Sequence, residues 1–164
     1  MNFYEDMEIG ARRAIGAYTF TAEAIKKFAG KYDPQRFHLD EEEGRQSLFG
    51  GLAASGWHVG SACMKMLVAD GQRRVKEALA RGEKVAVWGP SPGFRDLRWL
   101  RPVLAGDTVS FSTGIESKRV SESRPGWGIV QTQTGGVNQR GEEVYSIRAT
   151  AFVPLRDAPA EKAR

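Results

Sequence analysis

"FGGLAASGWHVGSACMKMLVADG", residues 49–71, decides how the rest of the chain is read. Gly50 and Gly51 mark a turn. Ser55 stands as a helix cap, and a helix is predicted from about Gly56 to Val68. Lys65 is its only charge before Asp70, and almost every other side chain is apolar or small. A helix that is apolar all round belongs at the centre of a fold. The two flanks supply what surrounds it.

On the N-terminal side, "RAIGAYTF" (13–20) reads as a strand. Thr21 then caps a helix, with Phe20 and Ile25 spaced as a hydrophobic staple. Ile25, Phe28, Ala29 and Tyr32 recur at helical spacing and predict one buried face. Pro34 pushes Asp33 toward an extended conformation, so the helix ends near Tyr32. Asp40 with Glu43 resembles a capping box for a second short helix. The acids Glu41, Glu42 and Glu43 form its solvated first turn, which suits the helix dipole.

On the C-terminal side, "QRRVKEALARGEK" (72–84) reads as a separate, shorter amphipathic helix ended by Gly82. The pattern then changes. Residues 93–120 hold two strands around a Pro102–Asp107 turn, with Val109, Phe111, Thr113 and Ile115 alternating. Residues 126–155 hold two more around "NQRG", with Tyr145, Ile147, Ala149, Ala151 and Val153 on one face. This order predicts an α+β fold in which an antiparallel sheet wraps a buried helix. One domain is expected over 1–154, followed by a polar, loosely ordered tail at 155–164.

Composition narrows the function. The chain has 164 residues, 41% of them apolar, enough for one domain with a full core. Lys and Arg number 24 against 20 Asp and Glu, a net charge of +4. No run of five basic residues occurs, so a small anionic ligand is favoured over nucleic acid. Cys63 is the single cysteine, so no internal disulfide forms, and its apolar surroundings make it a core residue. The start of the chain lacks the apolar run of a signal peptide, and no segment is long and apolar enough to cross a bilayer. A cytoplasmic protein is expected.

"FAGKYDPQRFHLDEEEG" (28–44) carries the candidate chemistry. Asp33 stands five residues before His38, and the only other histidine is His58. Spacing alone leaves two readings open, an acid–base pair or a solvated loop that holds both. Phosphate loops, dinucleotide fingerprints and nucleophile elbows are absent. Asp33, His38 and Asp40 do not make an ordinary metal set, because a third histidine or paired carboxylate motif is missing. Water addition to a double bond conjugated to a thioester needs a base, an acid and a donor for the enolate oxygen. An Asp–His pair gripping one water meets the first two needs. A free N–H at a helix start meets the third, and Gly56 lets a ligand approach closely.

"YDPQRFHLDEEEG" followed by "FGGLAASGWH" resembles the MaoC-like family of hot-dog-fold proteins, which includes (R)-specific enoyl-CoA hydratases and dehydratases. "LRWLRPVLAGDTV" and "NQRGEEVY" are similar to that family as well, so the likeness runs from about residue 8 to 154. The family's signature is an Asp, four residues, a His, then an apolar segment leading to a glycine at the central helix. Asp33 and His38 match the catalytic pair, and Gly56 falls at the oxyanion-hole glycine. Where the family commonly has Asn-Pro, this chain has Gln35 and Arg36; where it often has histidine before the glycine, this chain has Ser55. The resemblance implies a hot-dog fold, an acyl-CoA thioester substrate and no metal or redox cofactor. It also implies a homodimer joined sheet edge to sheet edge, with the CoA cleft shared between subunits.

His58 is expected to be packed with a satisfied hydrogen bond. Trp57, Met64 and Leu67 are expected in the core rather than in an acyl tunnel. Arg95, Arg98 and Arg101 flank Trp99 on one strand and are expected to be solvated, although guanidinium groups suit CoA phosphates. The competing functions are a thioesterase, disfavoured because residues 56–69 carry no Asp or Glu, and a non-catalytic acyl-CoA- or partner-binding subunit.

Overall fold

The computed structural model describes residues 2–157. A 3₁₀ turn at Tyr4–Asp6 precedes β1 (Arg12–Thr19), α1 (Ala22–Tyr32), α2 (Arg36–Leu39) and α3 (Glu41–Gln46). The long helix α4 (Gly56–Ala80) is followed by β2 (Gly93–Trp99), β3 (Thr108–Val120), β4 (Trp127–Asn138) and β5 (Glu143–Pro154). All strand pairs are antiparallel, in the order β1-β3-β4-β5-β2. The predicted α+β architecture is the one found.

Local signals set the element ends. The Thr21 hydroxyl accepts the Ala24 N–H at 3.1 Å, and Phe20 and Ile25 beside it are fully buried. Asp40 Oδ1 accepts the N–H groups of Glu42 and Glu43 at 2.9 and 3.0 Å. The helix α1 stops at Tyr32, as Pro34 requires. Tyr32 itself departs from the predicted buried face and is 62% exposed.

The central helix differs from prediction in two ways. Residues 56–68 and 72–82 do not form two helices; α4 runs unbroken through Gly71. An isolated glycine costs a helix only about 1 kcal/mol. Ion pairs bridge it here: Arg73 donates to Asp70 at 2.6 Å and to Glu77 at 2.8 Å, and Arg13 of β1 donates to Asp70 at 3.0 Å. Nor is α4 buried on all sides. Val59, Ala62 and Cys63 pack with Val109, Phe111, Val144 and Tyr145 in the main core. Trp57, Met64 and Val68 stand exposed on the opposite stripe, so core packing fails for Trp57 and Met64, while Leu67 packs against the core. The sheet covers one side of the helix and leaves the other open.

Cys63 is buried as expected, and burial pushes its thiol up to about 12, so it is inert at neutral pH. The Pro102–Asp107 turn joins strands that are not neighbours, since β2 pairs with β5 and β3 with β1 and β4. Asp107, 4% exposed, holds that turn. Its carboxylate accepts the Leu104 N–H at 3.0 Å, the Gln139 amide at 2.7 Å and the Arg140 guanidinium at 2.8 Å. Burial raises its pKa, but Arg140 and the other donors outweigh this and hold it below the ordinary value. A lowered folded-state pKa contributes stability that is present above the ordinary carboxylate value and lost as pH falls through the lowered one. Asp107→Asn is therefore expected to cost about 2 kcal/mol at neutral pH. Urea midpoints of the two proteins should converge on acidification; a pH-independent gap would count against the charged role.

Of the tail expected at 155–164, residues 158–164 lie outside the described residues. The Leu155 N–H donates to Gly126 O at 2.9 Å, and Arg156 pairs with Asp6 and covers the Phe3 ring.

Candidate active site

Asp33 is the C-cap residue of α1, and His38 lies on the single turn α2. A helical turn thus replaces the open loop expected between them. It brings His38 Nε2 to 3.5 Å from Asp33 Oδ2. His38 is 4% exposed. Its Nδ1 lies 2.7 Å from the Ala53 carbonyl, which can only accept, so Nδ1 donates and, in the neutral form of the ring, it is Nε2 that carries the lone pair. In that form two acceptors, Nε2 and Oδ2, face each other. A water molecule donating to both satisfies that arrangement.

Asp33 is held from two sides. The Ser55 hydroxyl donates to Oδ2 at 2.6 Å and the Gln35 amide to Oδ1 at 2.8 Å. Burial raises the Asp33 pKa, but these two bonds, with the charge of His38 when its ring is protonated, outweigh it and keep the carboxyl below its ordinary value. Asp33 is therefore an ionised acceptor across the neutral range. Ser55 also accepts the Trp57 N–H at 3.2 Å, as its predicted capping role requires. Its bond to Asp33 was not foreseen; the only hint is its place directly before Gly56. Ser55→Ala is expected to cost about 1 kcal/mol through the lost cap. It should also raise the pH at which Asp33 titrates, read from its carboxyl NMR shift; an unmoved titration would show that Ser55 does not tune it.

Gly56 opens α4, and its N–H has no acceptor among the described residues. The fold gives a reason for glycine that the sequence did not show. An added Cβ would lie 2.4 Å from Trp99 Cε2, because the indole covers this position and donates to the Gly56 carbonyl at 2.8 Å. Trp99 anchors one end of a segment that runs beside the helix entry, and the Ala54 N–H donation to Val103 O at 2.7 Å anchors the other.

Asp33, His38 and Gly56 line one cleft of about 440 Å³, with Phe37, Phe49, Trp57 and Trp99 forming an aromatic wall and Arg101 at its side. The sequence brought the three residues forward, and the fold gathers them. His58 lies outside this cleft. It is buried, stacked on Phe28 at 4.7 Å and edged by Phe20 and Tyr18, but its Nδ1 has no partner among the described residues, contrary to expectation. Arg95 donates to Gln131 at 2.9 Å and lies among acids on the sheet, away from the cleft. Asp40, the third residue weighed for a metal, is committed to capping α3. Among the described residues no group of three His, Cys, Asp or Glu is placed to hold a metal ion. No helix among them is long and apolar enough to cross a membrane.

A five-stranded antiparallel sheet around one long helix, with a cleft at the helix start, is a hot-dog subunit. The chain belongs to the MaoC-like family: the profile of the "MaoC like domain" matches residues 7–134. A crystal structure of a MaoC-like dehydratase from Rhodospirillum rubrum aligns at 37% identity and a TM-score of 0.78, covering 95% of this chain and 99% of that one. A Mycobacterium tuberculosis protein with a double hot-dog fold aligns at 18% identity and a TM-score of 0.67, covering 99% of this chain and 46% of the other, a likeness of fold alone. A mesaconyl-CoA hydratase of Cereibacter sphaeroides is 41% identical over 69 residues, 42% of this chain and 20% of that protein. The match thus spans about a fifth of the length of that relative.

Proposed function

We propose that the protein is a hydro-lyase that adds water to a trans-2-enoyl-CoA thioester to give the (R)-3-hydroxyacyl-CoA, and catalyses the reverse. The observation that carries this reading is the bare Nε2 of His38 facing ionised Asp33, in the same cleft as the free Gly56 N–H. Asp33 orients the water through Oδ2. As the water oxygen bonds to the β-carbon, His38 Nε2 takes its proton. The double-bond electrons move toward the thioester carbonyl, and the Gly56 N–H donates to the oxygen where charge grows. The His38 imidazolium then returns its proton to the α-carbon. Atoms balance: hydroxyl goes to the β-carbon and hydrogen to the α-carbon. The relatives named as dehydratase and hydratase support this class of reaction.

A panel of enoyl-CoA thioesters tests the reading. Loss of enone absorbance without free thiol is expected. Release of thiol would make the protein a thioesterase, and binding with neither change would make it a non-catalytic acyl-CoA-binding subunit. Against thioesterase chemistry, the first carboxylate on α4 is Asp70, which is occupied by Arg13 and Arg73.

A homodimer is part of the same reading. Among the described residues nothing pairs with the outer edge of β2, and Phe94, Trp99 and Leu100 on or beside it are exposed. An open edge with apolar side chains is a template for a second strand. Sedimentation at twice 18.1 kDa is expected, and Phe94→Glu should shift it toward monomer; a wild-type monomer at micromolar concentration would rule the dimer out.

A further inference from the structure

We propose that His58 is a positioning residue: its neutral ring ties α1 to α4, and protonation of that ring releases α1 and withdraws Asp33 from the candidate site. The consequence for turnover rests on the hydratase reading; the tie itself does not. His58 is the third residue of α4, two positions after Gly56. Its ring lies flat on Phe28 of α1, with centroids 4.7 Å apart and planes inclined by 5°. Phe20, just past the end of β1, and Tyr18 within β1 meet it edge-on at 5.0 and 5.8 Å. Among the described residues this stack is the one aromatic pair that joins α1 to α4. A second tie is the Ser55 bond to Asp33 at 2.6 Å, from the cap of α4 to the cap of α1. Phe28 and Asp33 are five positions apart, about 7.5 Å along one short helix. A helix that short moves as a rod, so a change at Phe28 is carried to Asp33.

The surroundings suit a neutral ring and oppose a charged one. His58 is 6% exposed, and its Nδ1 has no partner among the described residues. In the charged ring Nδ1 must donate, and here nothing accepts, so protonation buries both a charge and an unmet donor. The neighbouring elements supply no free acid. On α1, Lys31 lies over the Tyr32 ring, and Asp33 is engaged by Ser55 and Gln35. On β1, the Tyr18 ring carries the Lys65 ammonium of α4 at 5.8 Å from its centre. Burial is what lowers the His58 pKa. A lowered histidine pKa gives stability that is present above the ordinary histidine value and lost as pH falls toward the lowered one. The tie is therefore weakest in acid.

Amide hydrogen exchange tests the tie without any substrate. From about pH 7.5 to about pH 5.5, amides between Phe28 and Asp33 are expected to lose about tenfold in protection, the linkage of one proton over one pH unit. The Asp33 N–H, which donates to Ala29 O at 2.9 Å, is among them. Amides of β4 should keep their protection. His58→Phe keeps the stack but takes no proton, and should hold α1 protection constant. His58→Leu, which also takes no proton, gives the same reading if phenylalanine does not fit. A loss equal in wild type and variants, a loss shared by β4, or no loss at all would overturn the proposal. In the enoyl-CoA assay, wild type should lose activity in acid more steeply than one proton allows. His58→Phe should leave only the one-proton limb of His38; an unchanged limb would overturn the withdrawal of Asp33. If no thioester is hydrated, the hydratase reading falls, and the exchange result still decides the tie.

Discussion

His38→Ala and Asp33→Asn are each expected to lower enoyl-CoA hydration by about 10³-fold, the scale of a lost general acid–base group. The two substitutions fail for different reasons. Alanine at 38 removes the Nε2 lone pair that takes the water proton, and also leaves the Ala53 carbonyl without its donor at 2.7 Å. A buried carbonyl left unpaired costs about 1–3 kcal/mol, so loss of stability could be mistaken for loss of catalysis. His38→Asn separates the two. Its amide nitrogen reaches roughly the place of Nδ1 and keeps the bond to Ala53, but offers no base at the position of Nε2. It should fold like wild type and still be inactive. Asp33→Asn keeps shape and can accept from Ser55 with its amide oxygen, yet it loses the charge that orients water. Stopped assays at saturating substrate, with melting temperatures alongside, distinguish these cases. Near-normal turnover by either Asp33→Asn or His38→Asn would remove the assigned roles.

Phe111→Ala is expected to destabilise the fold by about 3–5 kcal/mol, the usual cost of emptying a fully buried aromatic site. Phe111 is 1% exposed, lies near the start of β3, and meets the Tyr145 ring edge-on at 6.2 Å between centroids. Its ring also covers Gly136 on the neighbouring strand β4, where an added Cβ would come within 2.9 Å of Phe111 Cε1 and 2.8 Å of Val109 Cγ1. The aromatic ring and the glycine thus occupy one shared volume. Gly136→Ala should be destabilising in wild type and less so when Phe111 is already alanine, because the ring clash is then gone. Chemical denaturation of the two single variants and the double variant measures this coupling. Strict additivity would show that the ring does not depend on that glycine.

Much of the fold was legible because its signals are local. Thr21, Asp40 and Ser55 act within three residues of their own positions, and each caps the predicted helix. Alternation in β3 places Val109, Phe111 and Thr113 inward, as a half-buried strand requires. Ending the central helix near Val68 failed for the opposite reason. The helix survives there because Arg13, distant in sequence, joins Arg73 in clasping Asp70. Likewise an apolar stripe says that a face avoids water, not which surface covers it, and so Trp57 and Met64 stand exposed instead of packed in the core.

By itself the sequence determined the order of strands and helices, apart from the break placed after Val68, and the helix caps; it set one aspartate five residues before one histidine and left their pairing open. Only the tertiary structure decided which imidazole nitrogen is bare, that Ser55 grips Asp33 from 22 positions away, and that Trp99 covers Gly56 from 43 positions away. The physical reason is range. Backbone periodicity and capping are set by neighbours along the chain, whereas the polarity of a cleft is set by whichever distant side chains the packing of helix on sheet brings to it.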